Sequence, residues 1–156
     1  MKKLRDFLQE SLTRVREIFP WDLVKRLEAN PDLILLDVRE PHEFDAMHIA
    51  GSLHVPRGVL ETACDWDYEE TVPELAAGRD REIVIICRSG NRSILAADTL
   101  QAMGFGNVAS LRTGIRGWND FEQPLVDSAE NAVTIDEADE YLAPRVSAAQ
   151  RSPAVR

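Results

Sequence analysis

The sequence predicts an α/β domain with a mainly parallel central sheet flanked by helices on both faces. Leu33-Ile34-Leu35-Leu36 and Ile83-Val84-Ile85-Ile86 are continuous apolar runs, the pattern of strands buried on both faces and too short for buried helices. Segments with helical spacing, such as Ile94, Leu95, Ala97, Leu100 and Met103, follow them, and strands alternating with helices favour parallel pairing. A chain of 156 residues with 44% hydrophobic content supports one compact domain with a real core.

The elements follow in order. Leu4, Phe7, Leu8, Leu12, Val15 and Ile18/Phe19 repeat with helical spacing, which predicts an N-terminal amphipathic helix over residues 1–19 that covers part of the core. The mixed charges between those positions do not favour a membrane-surface role. Pro20 breaks the pattern, and Trp21 to Leu27 reads as a second helix with Leu23, Val24 and Leu27 inward, ending near Asn30-Pro31. The first apolar run is closed by Asp37-Val38-Arg39-Glu40, and Pro41 to Ala46 suits a short helix opened by proline. His48-Ile49-Ala50-Gly51-Ser52 leads into a strand over Leu53 to Val55, stopped by Pro56.

Residues 57 to 82 hold Glu61, Asp65, Asp67, Glu69, Glu70 and Glu74 around Cys64 and Trp66, which reads as a short helix and a solvated loop. After the second apolar run come a cysteine loop and a helix stopped at Gly104. Asn107 to Leu111 forms a further strand, and Gly114-Ile115-Arg116-Gly117-Trp118 a loop entering a short helix. From Asp127 the character changes. Thr134 to Leu142 predicts one helix, capped by Thr134 and packed through Ile135, Ala138, Tyr141 and Leu142, and Pro144 to Arg156, rich in Ala, Ser, Pro and Arg, reads as a tail poorly ordered at its end. The expected division is therefore residues 1–19 for the amphipathic helix, 20–126 for a catalytic domain, and 127–156 for an acidic, then Arg/Ala/Ser/Pro-rich, partly disordered tail.

A formal net charge of −9 argues against general affinity for nucleic acid or an anionic membrane, because phosphate neutralisation needs clustered Lys and Arg. The two cysteines, Cys64 and Cys87, have neither the spacing of a zinc site nor the number expected of a disulfide framework. That points to a reducing compartment. Leu4-Arg5-Asp6-Phe7-Leu8-Gln9-Glu10 lacks the apolar core of a signal peptide, and no stretch approaches the roughly 18 apolar residues of a membrane span. A cytoplasmic location is expected.

The candidate site is Cys87-Arg88-Ser89-Gly90-Asn91-Arg92-Ser93. A cysteine at a strand-to-helix turn meets amides that lack intrahelical partners at the positive end of the helix dipole, which favours a thiolate. Gly90 lets successive amides curl towards one centre, making an anion-binding nest. Arg88 and Arg92 add positive charge, and Ser89 and Ser93 can donate to a thiolate or an oxyanion. Two arginines, two serines and a glycine are poor core material, which sets aside a purely structural Cys87. Cys64 reads as an incidental thiol in an acidic loop, with a role in resolving a Cys87 persulfide as the alternative.

From Ile18 to Pro124 the chain resembles the rhodanese-like sulfurtransferases. Four fragments carry the resemblance, in order: Leu36-Asp37-Val38-Arg39-Glu40 with Glu43-Phe44, His48-Ile49-Ala50-Gly51-Ser52 with His54-Val55-Pro56, the cysteine loop itself, and Gly114-Ile115-Arg116-Gly117-Trp118. The resemblance implies a Cys87 thiolate that takes sulfane sulfur from thiosulfate, a persulfide or a polysulfide, holds it as a persulfide, and passes it to a thiol acceptor, with cyanide as the laboratory acceptor. Residues 88 to 93 would stabilise the thiolate, the persulfide and the leaving anion. No metal or organic cofactor is implied. Expected partners are small sulfur-containing anions or low-molecular-weight persulfides, with a sulfur-acceptor protein as a further partner.

Relatives acting on phosphate or arsenate carry five residues between Cys and Arg, whereas four separate Cys87 from Arg92. The smaller cradle suits a sulfur atom. Asp37, Arg39 and His48 are expected to brace neighbouring loops, Trp118 to anchor a helix, and Arg116 to stand at the rim and attract anions. The alternative function is a sulfur-carrier or regulatory binding module with little turnover of small donors, whose acidic loop and tail, with Arg145, Arg151 and Arg156, reach a partner.

Overall fold

The computed structural model describes residues 1–153. Its elements are α1 (Leu4–Leu12), β1 (Arg16–Ile18), α2 (Pro20–Ala29), β2 (Ile34–Asp37), α3 (Pro41–Ala46), β3 (Leu53–His54), α4 (Leu60–Ala63), α5 (Pro73–Ala76), β4 (Ile83–Ile86), α6 (Asn91–Ala102), β5 (Val108–Leu111), α7 (Gly114–Asp120), β6 (Leu125–Val126), β7 (Ala132–Val133) and α8 (Ile135–Leu142), with 3₁₀ turns at Arg57–Val59 and Ala148–Gln150. Five strands form one parallel sheet in the order β1-β5-β4-β2-β3, as the alternation of strands and helices predicts.

The two apolar runs occupy the middle of the sheet, where Ile34 pairs with Ile83 and Leu36 with Ile85. Both strands are buried throughout. Because successive side chains point to opposite faces, one set packs down on one layer and the alternate set on the other. Ile34, Leu36, Ile83, Ile85 and Val108 meet α4, α5 and α6 through Leu60, Leu75, Ala97 and Leu100. Leu35, Val84, Ile86 and Leu111 meet α2, α7 and α8 through Leu23, Ile115, Trp118 and Leu142.

The N-terminal region departs from the expected helix over residues 1–19. α1 stops at Leu12, and Arg16–Ile18 form an edge strand in which Arg16 pairs with Ala109 and Ile18 with Leu111. The cause lies at Pro20, which pushes the preceding residue out of the helical region, and Phe19 duly has φ −83° and ψ 162°. Val15 and Ile18 keep their inward role, Val15 just before the strand and Ile18 on it. α1 itself is tied to α6: Arg14 donates to both carboxylate oxygens of Asp98 at 2.9 and 2.7 Å, and the Ser11 hydroxyl donates to Asp98 at 2.8 Å.

Two further expectations are corrected. Cys64 caps α4 in the core with no exposed surface, so it is not a thiol of an acidic loop; burial foremost pushes the thiol up to about 11. In the C-terminal segment Thr134 caps α8 by accepting from the Glu137 amide, and Ala138 and Leu142 are buried, but Ile135 and Tyr141 face solvent. Residues 125–126 and 132–133 pair as a small antiparallel ribbon. Arg156 and the expected disorder of the last residues fall on 154–156, outside the described residues. Among the described residues no helix is long and apolar enough to cross a membrane.

A buried ion pair braces the carboxyl end of β2. Arg39 donates from Nε to Asp37 Oδ1 at 3.0 Å and from Nη2 to Oδ2 at 2.8 Å and to the Met47 carbonyl at 2.6 Å, with both side chains fully buried. His54 Nε2 hydrogen-bonds the Arg39 carbonyl at 2.8 Å, and Phe44 stacks between His48 and His54 at centroid distances of 3.8 and 4.4 Å. These residues therefore hold the loop after β2, the bracing role expected of Asp37, Arg39 and His48. Removing one charge strands the other out of water. Arg39→Leu is expected to cost about 3–5 kcal/mol in urea denaturation, and Asp37→Leu/Arg39→Leu to recover much of that loss.

Candidate active site

Neighbouring strands β2 and β4 send their connections in opposite directions across the sheet, through α3 to β3 and through α6 to β5. The crevice beyond the carboxyl ends at such a point is where parallel α/β sheets bind ligands. Cys87 sits there, one residue past β4.

The sulfur is enclosed, with Cys87 only 1% exposed. The Gly90 amide donates to Sγ at 3.1 Å, and the thiol donates to Ser93 Oγ at 3.2 Å. Ser93 Oγ in turn lies 3.2 Å from the Gly90 carbonyl, to which it donates, and 2.7 Å from Ser110 Oγ. Ser93 and Ser110 are both fully buried. When Cys87 ionises, the Ser93 hydroxyl can turn to donate to the sulfur while Ser110 donates to Ser93, so the buried hydroxyls follow the charge. Ser110 is a residue the sequence reading missed. Its signal was a lone polar residue in the strand Val108-Ala109-Ser110-Leu111, since a buried hydroxyl needs a partner.

The loop is held from outside by α7. The Ile115 amide donates to the Cys87 carbonyl at 2.9 Å and the Arg116 amide to the Arg88 carbonyl at 3.1 Å. A planar trans peptide turns the following N–H away from the carbonyl, so the Arg88 and Ser89 amides point to the side opposite α7. Gly90 has φ +106° at the start of α6, where a side chain is strained, and Gly114 has φ +60° with no room for a Cβ, which would lie 2.4 Å from the Cys87 carbonyl oxygen.

The two loop arginines have separate fates. Arg92 makes a two-pronged ion pair with Glu43 of α3, at 2.7 and 2.9 Å. Arg88 turns outward and donates to the carbonyls of Leu142 and Ala143 at 2.8 and 3.1 Å, satisfying the end of α8. Ser89, Asn91 and Arg116 are solvent-exposed, and Arg116 lines the same cavity of about 480 Å³ as Arg88 and Ser89. Trp118 is buried and donates from Nε1 to the Pro124 carbonyl at 3.0 Å. Partial burial works to raise the Glu43 carboxyl, but the Arg92 hydrogen bonds, the Glu40 amide and the charges of Arg92 and Arg39 outweigh it and bring the group down to about 2. The Glu43 hydrogen bond chiefly raises Arg92, so both members stay charged.

The rhodanese-like domain family matches residues 20–121. A sulfurtransferase of Allochromatium vinosum is 34% identical over 72% of this chain and 95% of its own length. A Bacillus subtilis protein named as a candidate sulfur carrier, YrkF, is 32% identical over 76% of this chain, which spans 58% of that protein. Among solved structures, a Rhodopseudomonas palustris protein of unknown function, named as a possible tyrosine phosphatase, superposes with a TM-score of 0.73 at 28% identity, covering 80% of this chain and 94% of its own.

Two outcomes test the geometry. Gly114→Ala should destabilise the fold by about 2–4 kcal/mol in urea denaturation, because its Cβ meets the backbone of the loop at a positive φ. Glu43 is depressed in the folded state, so its contribution is complete above about pH 4.5 and is lost as pH falls towards about 2. The denaturation midpoint of the wild type should therefore fall more steeply across that window than that of Glu43→Gln.

Proposed function

Because this chain belongs to the rhodanese-like family, we propose that it is a sulfurtransferase that carries sulfane sulfur on Cys87, taken from thiosulfate or a low-molecular-weight persulfide and delivered to a thiol. The observation that carries this reading is the placement of Cys87 Sγ, which receives the Gly90 amide at 3.1 Å and stands beside the Ser93 hydroxyl at the opening of α6. The Cys87 thiolate attacks the outer sulfur of the donor, the donor S–S bond breaks with its electron pair on the leaving group, and Cys87 is left as a persulfide. A second thiolate then attacks the terminal sulfur and restores Cys87. The Gly90 amide and Ser93 hydroxyl stabilise negative charge on sulfur at each stage, in a site shielded from water.

The first-turn amides of α6 and the Arg88 and Ser89 amides supply further donors for the leaving anion. Arg92 serves the loop through Glu43 rather than by offering a free fork to a tetrahedral phosphoryl group. With four residues between Cys87 and Arg92, this favours sulfur over phosphate as the transferred atom. The near-complete burial of Cys87 supports a second reading, a sulfur carrier that shelters its persulfide until an acceptor protein docks.

Incubation with thiosulfate or a persulfide should add about 32 Da to Cys87 in mass spectrometry. Cys87→Ser should take up no sulfur and lose activity by about a thousandfold or more, with the fold retained. Near wild-type turnover in that variant would refute the mechanism. Rapid transfer to small thiols would favour the enzyme, and a single loading released only to a protein acceptor would favour the carrier.

A further inference from the structure

The segment after α8 and the cysteine loop together enclose a cavity of about 480 Å³ whose lining includes Arg88, Ser89, Arg116 and Arg145. Arg88 and Ser89 belong to the loop that carries Cys87, Arg116 to α7, and Arg145 to the C-terminal segment beyond the matched family region. The charge distribution here is unusual for this chain. It holds 27 acidic residues against 18 Lys and Arg, yet none of these three arginines has a carboxylate partner among the described ion pairs. Arg88 donates only to the carbonyls of Leu142 and Ala143, and Arg145 only to the Glu140 carbonyl at 3.3 Å. Of the acids nearby, Glu43 is already taken by Arg92, while Glu137 and Glu140 share a cleft with Arg145 and Asp120 one with Arg116, none of these three within ion-pair distance.

Three guanidinium groups that are not neutralised by the protein, around one cavity at the mouth of the loop, form a site for an anion with more than one charged group. We propose that this is a donor subsite for a low-molecular-weight thiol persulfide bearing at least two carboxylates, with Arg145 and Arg116 as specificity-determining residues. The proposal rests on the sulfur-transfer reading of Cys87 and names the substrate class. The volume falls in the range of small-molecule pockets, about 300–1,000 Å³, and far exceeds what an inorganic sulfur anion fills. Planar guanidinium forks match carboxylates. The net charge of −9 disfavours long polyanions, whereas a compact dicarboxylate fits within the arginine-lined cavity, whose own lining holds no acid. Two residues of its lining, Arg88 and Ser89, directly follow Cys87 in the chain, so a donor held there lies at the loop that carries the thiol. In the reaction Cys87–S⁻ attacks the terminal sulfur of R–S–SH, the S–S bond breaks with its electron pair on the inner sulfur, and the products are Cys87–S–SH and R–S⁻, with no net oxidation.

Glutathione and its diethyl ester are suitable probes, titrated calorimetrically into the full chain. Glutathione should bind at least about tenfold more tightly than the ester, and Arg145→Glu or Arg116→Glu should remove that preference, with Arg145→Lys restoring part of it. In sulfur transfer from glutathione persulfide, the loss in Arg145→Ala should fall on KM rather than on kcat. Equal binding of glutathione and its ester, or unchanged glutathione binding in both charge-reversal variants, overturns the subsite. If the binding preference holds and no donor adds sulfur to Cys87, the subsite stands and the sulfur-transfer reading fails.

Discussion

The cysteine loop depends on the two amide hydrogen bonds from the start of α7, Ile115 to the Cys87 carbonyl and Arg116 to the Arg88 carbonyl. Each turns a carbonyl, whose negative end would repel a thiolate, away from the interior of the loop. Each therefore turns the next amide the other way, since peptide planarity leaves no independent choice. Gly114 makes the approach possible because it has no side chain, and Gly90 completes the turn in a conformation open to few other residues. The arrangement around the sulfur thus begins with the close packing of two loops at the carboxyl ends of the neighbouring strands β4 and β5.

Around that contact, positive charge is distributed by task. Arg39 is consumed by Asp37 in the core, Arg92 by Glu43 at the crevice, and Arg88 by carbonyls at the end of α8. The first two neutralise their partners and stiffen the floor of the site. Arg88 neutralises nothing, because backbone carbonyls carry only partial charge, so its field still reaches the mouth. The residue that joins the cysteine loop to the C-terminal segment is therefore also one that can attract an anion. Electrostatic attraction at the rim and precise donation at the sulfur are supplied by different groups.

Much of this fold is legible in the chain because its signals are local. The runs ending at Leu36 and Ile86 can only be doubly covered strands, and the helices between them follow from spacing and from Pro20, Pro41 and Gly104. The edge strand at Arg16–Ile18 is not legible, because Val15 and Ile18 continue the helical spacing of α1 and a three-residue strand acquires its identity from pairing with β5. The two-residue strands at Leu125–Val126 and Ala132–Val133 are too short for any period. Cys64 was misplaced because acidic neighbours in sequence are not its neighbours in space.

By itself the sequence determined the candidate nucleophile, the loop that surrounds it and the parallel sheet that presents it, since each is written in adjacent residues or in a regular period. The tertiary structure alone decided which groups that loop engages. Arg92 meets Glu43, Arg88 meets Leu142, and Ser93 meets Ser110 across separations of 49, 54 and 17 residues. A side chain's charge is a property of its residue type, but its partner depends on which distant backbone the packed layers bring within hydrogen-bond reach.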